Sequence, residues 1–397
     1  MSTAMPPPPP AAAPPVPASK QDSDQRCPYC FTSLPRDGLF RVCPIGRRDD
    51  GQPCAGAKPT LYPHHERPTC ADHPSVELAG LCHNRECATR LPDRWSEVTT
   101  TCLAMVGTRA SGKSVYLAVT ADLLIKWGRR RGMTITHYNR ASELDFVERF
   151  GALHDEDGRL LPANEREGGG QSVAHKEPIL LRIQRPGIRD HVLVLRDIAG
   201  EDLQDPAMDA RIFRFITRAD GLIQMIDPTS LAPVRAALVG LVDEPVHDLP
   251  PDAVWGFLQN LMFAVNGTRA RFIPVALTVS KFDLVMLAAE QRGTALAATL
   301  SGRGLRLRQD PSLGLASWDA DDGDLLDLEL RALLARLDAV SLMNRVRHYE
   351  RTGSPVRLFA VSSLGHAPSV GRLAAQGKTP FRCLDPVLWF LSRAGLS

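Results

Sequence analysis

Residues 107–114 read GTRASGKS and fit the pattern G-x-x-x-x-G-K-[ST] at every fixed position. In such a loop the glycines let the backbone N–H groups point inward, the lysine supplies positive charge, and the hydroxyl can bind a divalent cation. The apolar run TCLAMVG (101–107) predicts a buried strand before the loop, and residues 112–128 predict a helix after it. This order predicts a phosphate site at the positive N-terminal end of the helix.

Nine residues of this loop are candidates for nucleotide contact. Lys113 would neutralise the β- and γ-phosphate oxygens, and Ser114 would bind Mg²⁺. The full set is Gly107, Thr108, Arg109, Ala110, Ser111, Gly112, Lys113, Ser114 and Val115.

Outward from the loop, apolar runs alternate with helical patterns, which predicts an α/β domain over residues 96–397. We expect a mostly parallel sheet flanked by helices, of the P-loop NTPase class. The predicted further strands are 178–183, 191–197, 221–227, 272–280 and 356–363. The predicted further helices are 255–267, 324–346 and one that follows Asp385 as N-cap and Pro386 as first residue. Two polar stretches, near 129–175 and 288–323, are predicted insertions, and the second includes an acidic solvated turn with a helix cap (319–324).

Polar residues follow three of these strands. Asp197 can hold Mg²⁺ through water, and the N–H of Gly200 can turn toward a γ-phosphate. Asp283 can accept two hydrogen bonds from guanine, whereas adenine offers no such paired donors. The stem of Lys281, after Ser280, can lie across the base, and Ser362-Ser363 can place an N–H near the guanine O6. These residues predict GTP or GDP with Mg²⁺ as ligands, and ATP is the alternative.

GTRASGKS, DIAG (197–200), SKFD (280–283) and VSSLG (361–365) stand in the order of the motifs of Ras-like GTPases of the translation-factor class, which the chain resembles over about 98–397. The resemblance implies a GTPase-like, Mg²⁺-dependent switch that hydrolyses GTP and signals to a protein effector. The DIAGE form (197–201), the two insertions and LDPVLWFL (384–391) are similar to the double-GTPase group of bacterial conflict systems.

The candidate catalytic residues are Lys113, which matches the family motif, and Arg109 and Glu201. At Arg109 and Glu201 the chain departs from that family, and both positions affect hydrolysis. Arg109 lies beside the expected γ-phosphate, where it either obstructs hydrolysis or acts as a cationic finger in cis. Glu201 replaces the water-orienting Gln, and Ser280 replaces an Asn. Ser172 is either the switch-I ligand of Mg²⁺ or an ordinary loop serine. We expect slow hydrolysis; the alternative is a non-hydrolysing nucleotide-binding scaffold or a zinc-ribbon adaptor.

Residues 23–95 hold seven of the nine cysteines and few long apolar runs, which predicts a ribbon-like module stapled by metal. Seven sulfurs and His73 supply eight ligands, enough for two tetrahedral Zn²⁺ sites. CPYCFTSLP (27–35) is echoed by CHNRECATRLP (82–92), which favours one site from Cys27, Cys30, Cys82 and Cys87 and another from Cys43, Cys54, Cys70 and His73. Sequential and cross-braced pairings stay open, as do His64, His65 or His83 in place of His73. The alternative, a disulfide scaffold, is disfavoured in a reducing compartment.

Residues 1–22 are rich in Pro and Ala and predict a disordered tail. The formal net charge of +2, from 47 basic and 45 acidic residues, argues against a nucleic-acid or membrane-surface partner bound through bulk charge. No apolar run is long enough to span a bilayer, and the N-terminal residues lack the charged region and apolar core that are typical of a secretory signal. We therefore expect a cytoplasmic protein.

Overall fold

The computed structural model describes residues 25–108, 110–153, 177–198, 214–242, 256, 273–291, 295–302, 304–312, 314, 317–366 and 378–396. The predicted tail and the predicted helix 255–267, apart from residue 256, lie outside this part of the chain. No helix within it is long and apolar enough to cross a membrane.

The N-terminal part forms two small antiparallel sheets. One has the order β2 (Thr60–Tyr62), β1 (Leu39–Val42), β5 (Ala79–Leu81), and the other pairs β3 (Thr69–Cys70) with β4 (His73–Glu77). A small hydrophobic cluster of buried Cys43, Cys54, Cys70 and Leu78 stands apart from the main core. Such a cluster buries little apolar area, so this part depends on its cysteines and on contacts with the rest of the chain.

The chain before β1 packs against the main domain. Cys27, Phe31 and Trp95 belong to the same hydrophobic core as the large sheet. The Trp95 indole Nε1 donates to the backbone oxygen of Arg26 at 2.8 Å, and the Arg26 guanidinium pairs with Asp220 at 3.2 Å. The cysteine-rich part is therefore joined to the main domain by a shared core and a half-buried ion pair.

The described residues of the main domain form a seven-stranded sheet of order β12-β11-β10-β6-β9-β8-β7. The first five strands are mutually parallel, and β8 and β7 continue the sheet with antiparallel pairing. The central strands are apolar runs buried on both faces, as expected for parallel strands covered by helices. The strands are β6 (Thr99–Gly107), β7 (Thr134–His137), β8 (Ile179–Gln184), β9 (His191–Asp197), β10 (Gly221–Ile226), β11 (Val275–Val279) and β12 (Val356–Ala360).

The described helices of this domain connect and cover these strands. They are α1 (Lys113–Arg129), α2 (Arg140–Phe150), α3 (Arg214–Arg218), α4 (Ala232–Ala237), α5 (Phe282–Ala289), α6 (Ala295–Leu300), α7 (Ala320–Arg336), α8 (Val340–Glu350) and α9 (Asp385–Arg393). The architecture confirms the predicted α/β class with a mostly parallel sheet.

The stretch 129–175 stays a predicted insertion; its described residues include β7 and α2, which extend the sheet at its edge and cover it. One prediction about secondary structure was wrong. The predicted helix 324–346 is two helices, α7 and α8, because Asp338 between them adopts a left-handed backbone with φ 55°.

A buried arginine corrects two further predictions. Asp385 is the first residue of α9 rather than its N-cap, and its carboxylate accepts from the Arg382 guanidinium at 2.6 Å. Asp322, in the acidic turn, is buried as well and accepts from Arg382 at 2.8 Å. Only part of that turn is solvated, although Asp319 caps α7 as expected. A fully buried guanidinium requires carboxylate partners, and this need overrides the local capping pattern.

Candidate nucleotide site and metal centres

The loop between β6 and α1 closes around the side chain of Lys113. Its ammonium donates to the backbone oxygens of Gly107 and Thr108, each at 2.9 Å. A Cβ at Gly107 would lie 2.7 Å from Ser111 Oγ, and Gly112 has φ +84°, so both glycines are required by the path of the backbone. The loop therefore holds a buried cation at the N-terminus of a 17-residue helix, an arrangement suited to a phosphate group.

Ser114 and Val115 lie in the first turn of α1 and are half-buried. Asp197 is the last residue of β9 and is in register with Met105 on β6. Ile198 N donates to Met105 O at 3.1 Å, which fixes the chain at the end of β9 beside the loop. Ser114, which follows β6 at the start of α1, and Asp197, which ends β9, thus lie at the carboxyl edge of two paired strands. Arg109, Ser172, Gly200 and Glu201 lie outside the described residues.

The motif SKFD (280–283), called the base motif below, begins where β11 ends. Ser280 donates to Ile226 O through both its N–H and its hydroxyl, each at 2.9 Å. The hydroxyl that replaces Asn therefore ties this motif to the end of β10. Lys281 adopts a left-handed backbone with φ 46° and directs its ammonium to Asp227, at 2.7 Å.

Asp283 and Ser362 meet, although 79 residues separate them in the chain. The Ser362 hydroxyl donates to Asp283 Oδ1 at 2.5 Å and accepts from Gly365 N at 2.9 Å. Burial raises the pKa of Asp283, and the hydrogen bond from Ser362 opposes this shift. Backbone hydrogen bonds between Ser362 and Phe381 hold the segment that follows β12, with Ser363 half-buried beside it.

A cavity of about 670 Å³ opens on Asp283 and Ser362. Phe282 and Phe381 line it, and their rings are nearly parallel, with centroids 6.3 Å apart. His366 also lines it, and its Nε2 is a buried atom without a hydrogen-bond partner among the described residues. The cavity combines aromatic surface with a carboxylate and a hydroxyl, the composition expected of a site for a planar, hydrogen-bonding ligand.

Asp227 is the site residue that sequence reasoning missed. It follows β10 and is 3% exposed. Its Oδ1 accepts from Thr229 N and Oγ1 at 2.9 and 2.6 Å, while its Oδ2 accepts from Lys281. Burial opposes its ionisation, but the charge of Lys281 and these hydrogen bonds outweigh burial and hold the pKa of Asp227 below its ordinary value. An Asp directly after an apolar strand was the available signal.

Seven of the nine cysteines and His73 gather into the two sets that the local echo favours. The first is Cys27, Cys30, Cys82 and Cys87, and the second is Cys43, Cys54, Cys70 and His73; within each set the ligand atoms all lie within 4.8 Å of one another. His64 Nε2 instead lies 3.0 Å from Pro35 O.

The geometry of both sets fits tetrahedral zinc. A tetrahedron with Zn–S bonds of about 2.3 Å has edges of about 3.8 Å. Cys27 and Cys87 place their sulfurs 3.8 Å apart, and Cys30 and Cys82 place theirs 3.6 Å apart. In the second set Cys43 Sγ lies 3.5 Å from His73 Nδ1, as the shorter Zn–N bond requires. All nine cysteines, each within the described residues, are free, which argues against the disulfide alternative. These eight side chains can hold two Zn²⁺ ions with no open coordination position.

Comparisons with known proteins add a relative. A Mycolicibacterium smegmatis protein described as "Putative ESX-1 scaffolding and assembly protein SaeC" is 31% identical over 405 residues, covering 94% of this chain and 99% of that protein. No family model matches the chain.

Two solved structures show weak likeness. One is the signal recognition particle receptor SRb-GTP/SRX complex from Chaetomium thermophilum (TM-score 0.26, 12% identity, 69% of this chain and 95% of that chain). The other is the GTP-bound Ski7 GTPase-like domain of S. cerevisiae (TM-score 0.29, 11% identity, 74% of this chain and 50% of that chain). At these TM-scores neither supports a conclusion about this chain.

Proposed function

This chain belongs to the family of the Mycolicibacterium smegmatis SaeC protein, and we propose that it is a scaffold for protein assembly whose partner contacts depend on bound guanine nucleotide. The description of that relative names ESX-1 scaffolding and assembly, so we propose protein partners of a comparable complex. A role in a bacterial conflict system stays a prediction from the resemblance.

The observation that carries the nucleotide proposal is the meeting of four motifs at one edge of the sheet. The Lys113 loop follows β6, Asp197 ends β9, Asp283 follows β11 and Ser362 follows β12. These strands are parallel, so their carboxyl ends lie at the same edge, where ligands of open α/β sheets bind. Phosphate and Mg²⁺ would be held by Lys113, Ser114 and Asp197.

Guanine is proposed over adenine because of the chemistry around the cavity. The Asp283 carboxylate can accept two hydrogen bonds from the N1–H and the exocyclic amine of guanine. Adenine offers no such pair of donors and would leave this half-buried carboxylate with only the hydrogen bond from Ser362, which costs affinity. The Ser362 hydroxyl, at 2.5 Å, orients the carboxylate toward the cavity.

We propose slow hydrolysis of GTP to GDP and phosphate, controlled by Arg109 and Glu201, with Ser172 as a further candidate ligand of Mg²⁺. Bound Mg²⁺ would neutralise charge on the phosphates. The two zinc sites are proposed to be structural, since four protein ligands leave no position for a substrate. We also propose that the protein acts in the cytoplasm.

The decisive experiment measures nucleotide affinity and partner capture on the same full-length protein. Calorimetry with Mg²⁺ should give a GTP affinity at least about tenfold tighter than that for ATP, a difference of about 1.4 kcal/mol. Cross-linking to partners from the native host should differ between the GDP form and a form loaded with a non-hydrolysable GTP analogue. Equal affinity for ATP would replace the guanine assignment with an adenine one. Absence of nucleotide binding would leave a zinc-stapled adaptor.

A bulk turnover assay separates the switch from the alternative scaffold. Release of phosphate at a slow, measurable rate supports the switch. If GTP binds and no phosphate is released over many hours, the non-hydrolysing scaffold is the better description, and partner capture should then depend only on whether nucleotide is bound.

A further inference from the structure

The first cysteine set, Cys27, Cys30, Cys82 and Cys87, lies close to the strand that carries Asp197. Arg196, directly before Asp197, places its guanidinium carbon 4.0 Å from the ring centroid of Phe215 on α3. Phe215 in turn meets Phe31 edge to face, with centroids 5.4 Å apart. Phe31 follows Cys30 in the chain and is fully buried. A continuous line of packed side chains therefore runs from β9 to the first cysteine set.

This line of side chains also joins groups of opposite charge, the zinc-thiolate centre and Arg196. Four thiolates and one Zn²⁺ carry two net negative charges. Arg196 is 7% exposed; burial lowers the pKa of its guanidinium, and the neighbouring Cys30, Cys87 and Cys27 oppose this shift. A buried guanidinium requires negative charge nearby, and a buried anionic zinc centre requires positive charge. Arg196 is suited to serve as an outer-sphere cation of this centre.

The loops that carry the cysteines also contact the main domain at two other places. Tyr29 lies near Glu177, just before β8, where burial and the Glu177 carboxylate raise the pKa of the Tyr29 hydroxyl. On α3, the Arg218 guanidinium donates to Thr32 Oγ1 at 2.7 Å, and the Arg214 guanidinium donates to the Glu86 carboxylate at 3.1 Å. The first set is thus held against β9, α3 and the start of β8.

The second cysteine set differs in this respect. Cys43, Cys54 and Cys70 form a hydrophobic cluster of their own, whereas Cys27 and Cys82 belong to the core of the large sheet. The two metal centres therefore provide an internal comparison, since one packs into the main domain and the other does not.

Resting on the proposed nucleotide site, we propose that zinc at Cys27, Cys30, Cys82 and Cys87 is energetically coupled to Mg²⁺-nucleotide at Asp197 through Arg196 and Phe215. Successive residues of a strand point to opposite faces, so one segment of backbone holds Asp197 on one side and the Arg196 contact on the other. Ligand binding that fixes the end of β9 also fixes Arg196 against Phe215, which packs on Phe31 beside Cys30. By linkage, each ligand then strengthens the binding of the other by the same factor.

The test measures zinc release from the full chain into a chromophoric chelator, without nucleotide, with Mg²⁺-GDP and with Mg²⁺ and a non-hydrolysable GTP analogue. His73→Ala removes a ligand of the second set, so the zinc that remains reports the first set alone. We expect the analogue to slow its release about fivefold or more. In the wild type, release from the second set should not depend on nucleotide.

Phe215→Leu removes the ring that joins Arg196 to Phe31 while keeping an apolar side chain of similar size. The ratio of the zinc-release rates without and with the GTP analogue should fall to within about twofold of one. Two zinc ions should still bind per chain. The matched control is Phe146→Leu, a buried ring on α2 that contacts His137 and Phe150 and should leave the effect intact.

Each outcome separates this coupling from the nucleotide site itself. If calorimetry shows nucleotide binding and zinc release is independent of nucleotide in the wild type, the coupling is refuted and the nucleotide site stands. Equal slowing at both zinc sites also refutes it, because the second set lacks the connecting residues. If calorimetry shows no nucleotide binding, the proposed function fails, and the coupling fails with it.

Discussion

The ammonium of Lys281 lies 2.7 Å from the Asp227 carboxylate and joins the loop after β11 to the end of β10. Ser280 makes a second connection between the same two elements through its hydrogen bonds to Ile226 O. The base motif is therefore anchored to the neighbouring strand before any ligand is considered. This anchor fixes where the Lys281 stem can lie relative to the cavity beside Asp283.

Asp227→Asn should weaken GTP binding, because the amide cannot hold the Lys281 ammonium as a carboxylate does. A hydrogen bond to a charged group contributes about 1.5 to 3 kcal/mol, so we expect a Kd roughly tenfold weaker by calorimetry. In a double-mutant cycle with Lys281→Ala, the two losses should be strongly non-additive. The exposed Asp321→Asn is the control and should leave affinity unchanged. Additive losses would show that Asp227 does not act through Lys281.

The same substitution should affect stability in a pH-dependent way. The pKa of Asp227 is lowered in the folded state, so its contribution is fully present above the unfolded value of about 3.9 and is lost as the pH falls through the lower folded value. Urea unfolding should therefore show wild type more stable than Asp227→Asn at pH 7. The difference should shrink steadily below pH 4. A difference that persists unchanged into strong acid would mean that it does not come from the carboxylate charge.

The sequence predicted those features that are local in the chain. The phosphate loop, Asp197 and the SKFD motif each follow a buried apolar strand, and the echo between 27–35 and 82–92 favoured the pairing that geometry brings together. The role of Asp227 could not be predicted, because its partner Lys281 lies 54 residues away and a contact over that distance leaves no local sequence pattern. The zinc ligands, by contrast, could be predicted from their residue types and their spacing.

Tertiary packing explains most of the differences between the predicted and the observed secondary structure. The pair Asp385-Pro386 is typical of a helix start, but the buried Arg382 takes the Asp385 carboxylate as a partner. β7 is four residues long with one fully buried side chain, so it has no apolar run by which to recognise it. The left-handed Asp338 between α7 and α8 interrupts a helical pattern that is continuous in the sequence. For Asp385 and β7, contacts with residues outside the local pattern decide a structure that local propensity leaves open, whereas at Asp338 the backbone conformation itself ends the helix.

Lys113→Ala should weaken GTP binding by roughly tenfold or more, since loss of a charged hydrogen-bonding partner costs about 1.5 to 3 kcal/mol. Lys113 is buried in the loop, whereas Lys126 lies exposed in the last turn of the same helix. Lys126→Ala is therefore the matched control and should bind GTP like the wild type in calorimetry. Equal affinities for the two variants would eliminate the phosphate-loop assignment.

Asp283→Asn should exchange the preferred base. An amide accepts one hydrogen bond and donates one, so it no longer matches the paired donors of guanine but matches the N–H and carbonyl edge of xanthine. We expect GTP affinity to fall roughly tenfold or more and XTP affinity to rise, as measured by competition against a labelled nucleotide. Glu290→Gln, at the same cavity, should leave the preference for GTP intact. Retained GTP preference in Asp283→Asn would remove Asp283 from the base site.

Elemental analysis should find two zinc ions per chain in protein purified without chelator. Cys27→Ser and Cys43→Ser should each lose one. The losses should differ in consequence, because Cys27 lies in the core of the large sheet and Cys43 in the separate cluster. We expect Cys27→Ser to lower the thermal midpoint of the whole chain by several degrees, and Cys43→Ser to change the main transition little. One zinc or none in the wild type would refute the two sets as zinc sites.

Hydrolysis without a partner should be slow, and Arg109 should control it, although this residue and Glu201 lie outside the described residues. The resemblance of GTRASGKS to the phosphate loop of Ras-like GTPases implies that position 109 lies beside the γ-phosphate. A well-placed arginine finger contributes roughly 10³ to 10⁵ in rate. We favour the finger, because an arginine that only obstructs would weaken binding with no compensating gain.

Arg109→Ala should then lower the rate of single-turnover hydrolysis sharply while nucleotide affinity barely changes. Glu201→Ala should lower this rate too, because the attacking water loses its orienting group. A faster rate in Arg109→Gly would identify Arg109 as an obstruction instead. Equal rates for the wild type, Arg109→Ala and Glu201→Ala would favour the non-hydrolysing scaffold.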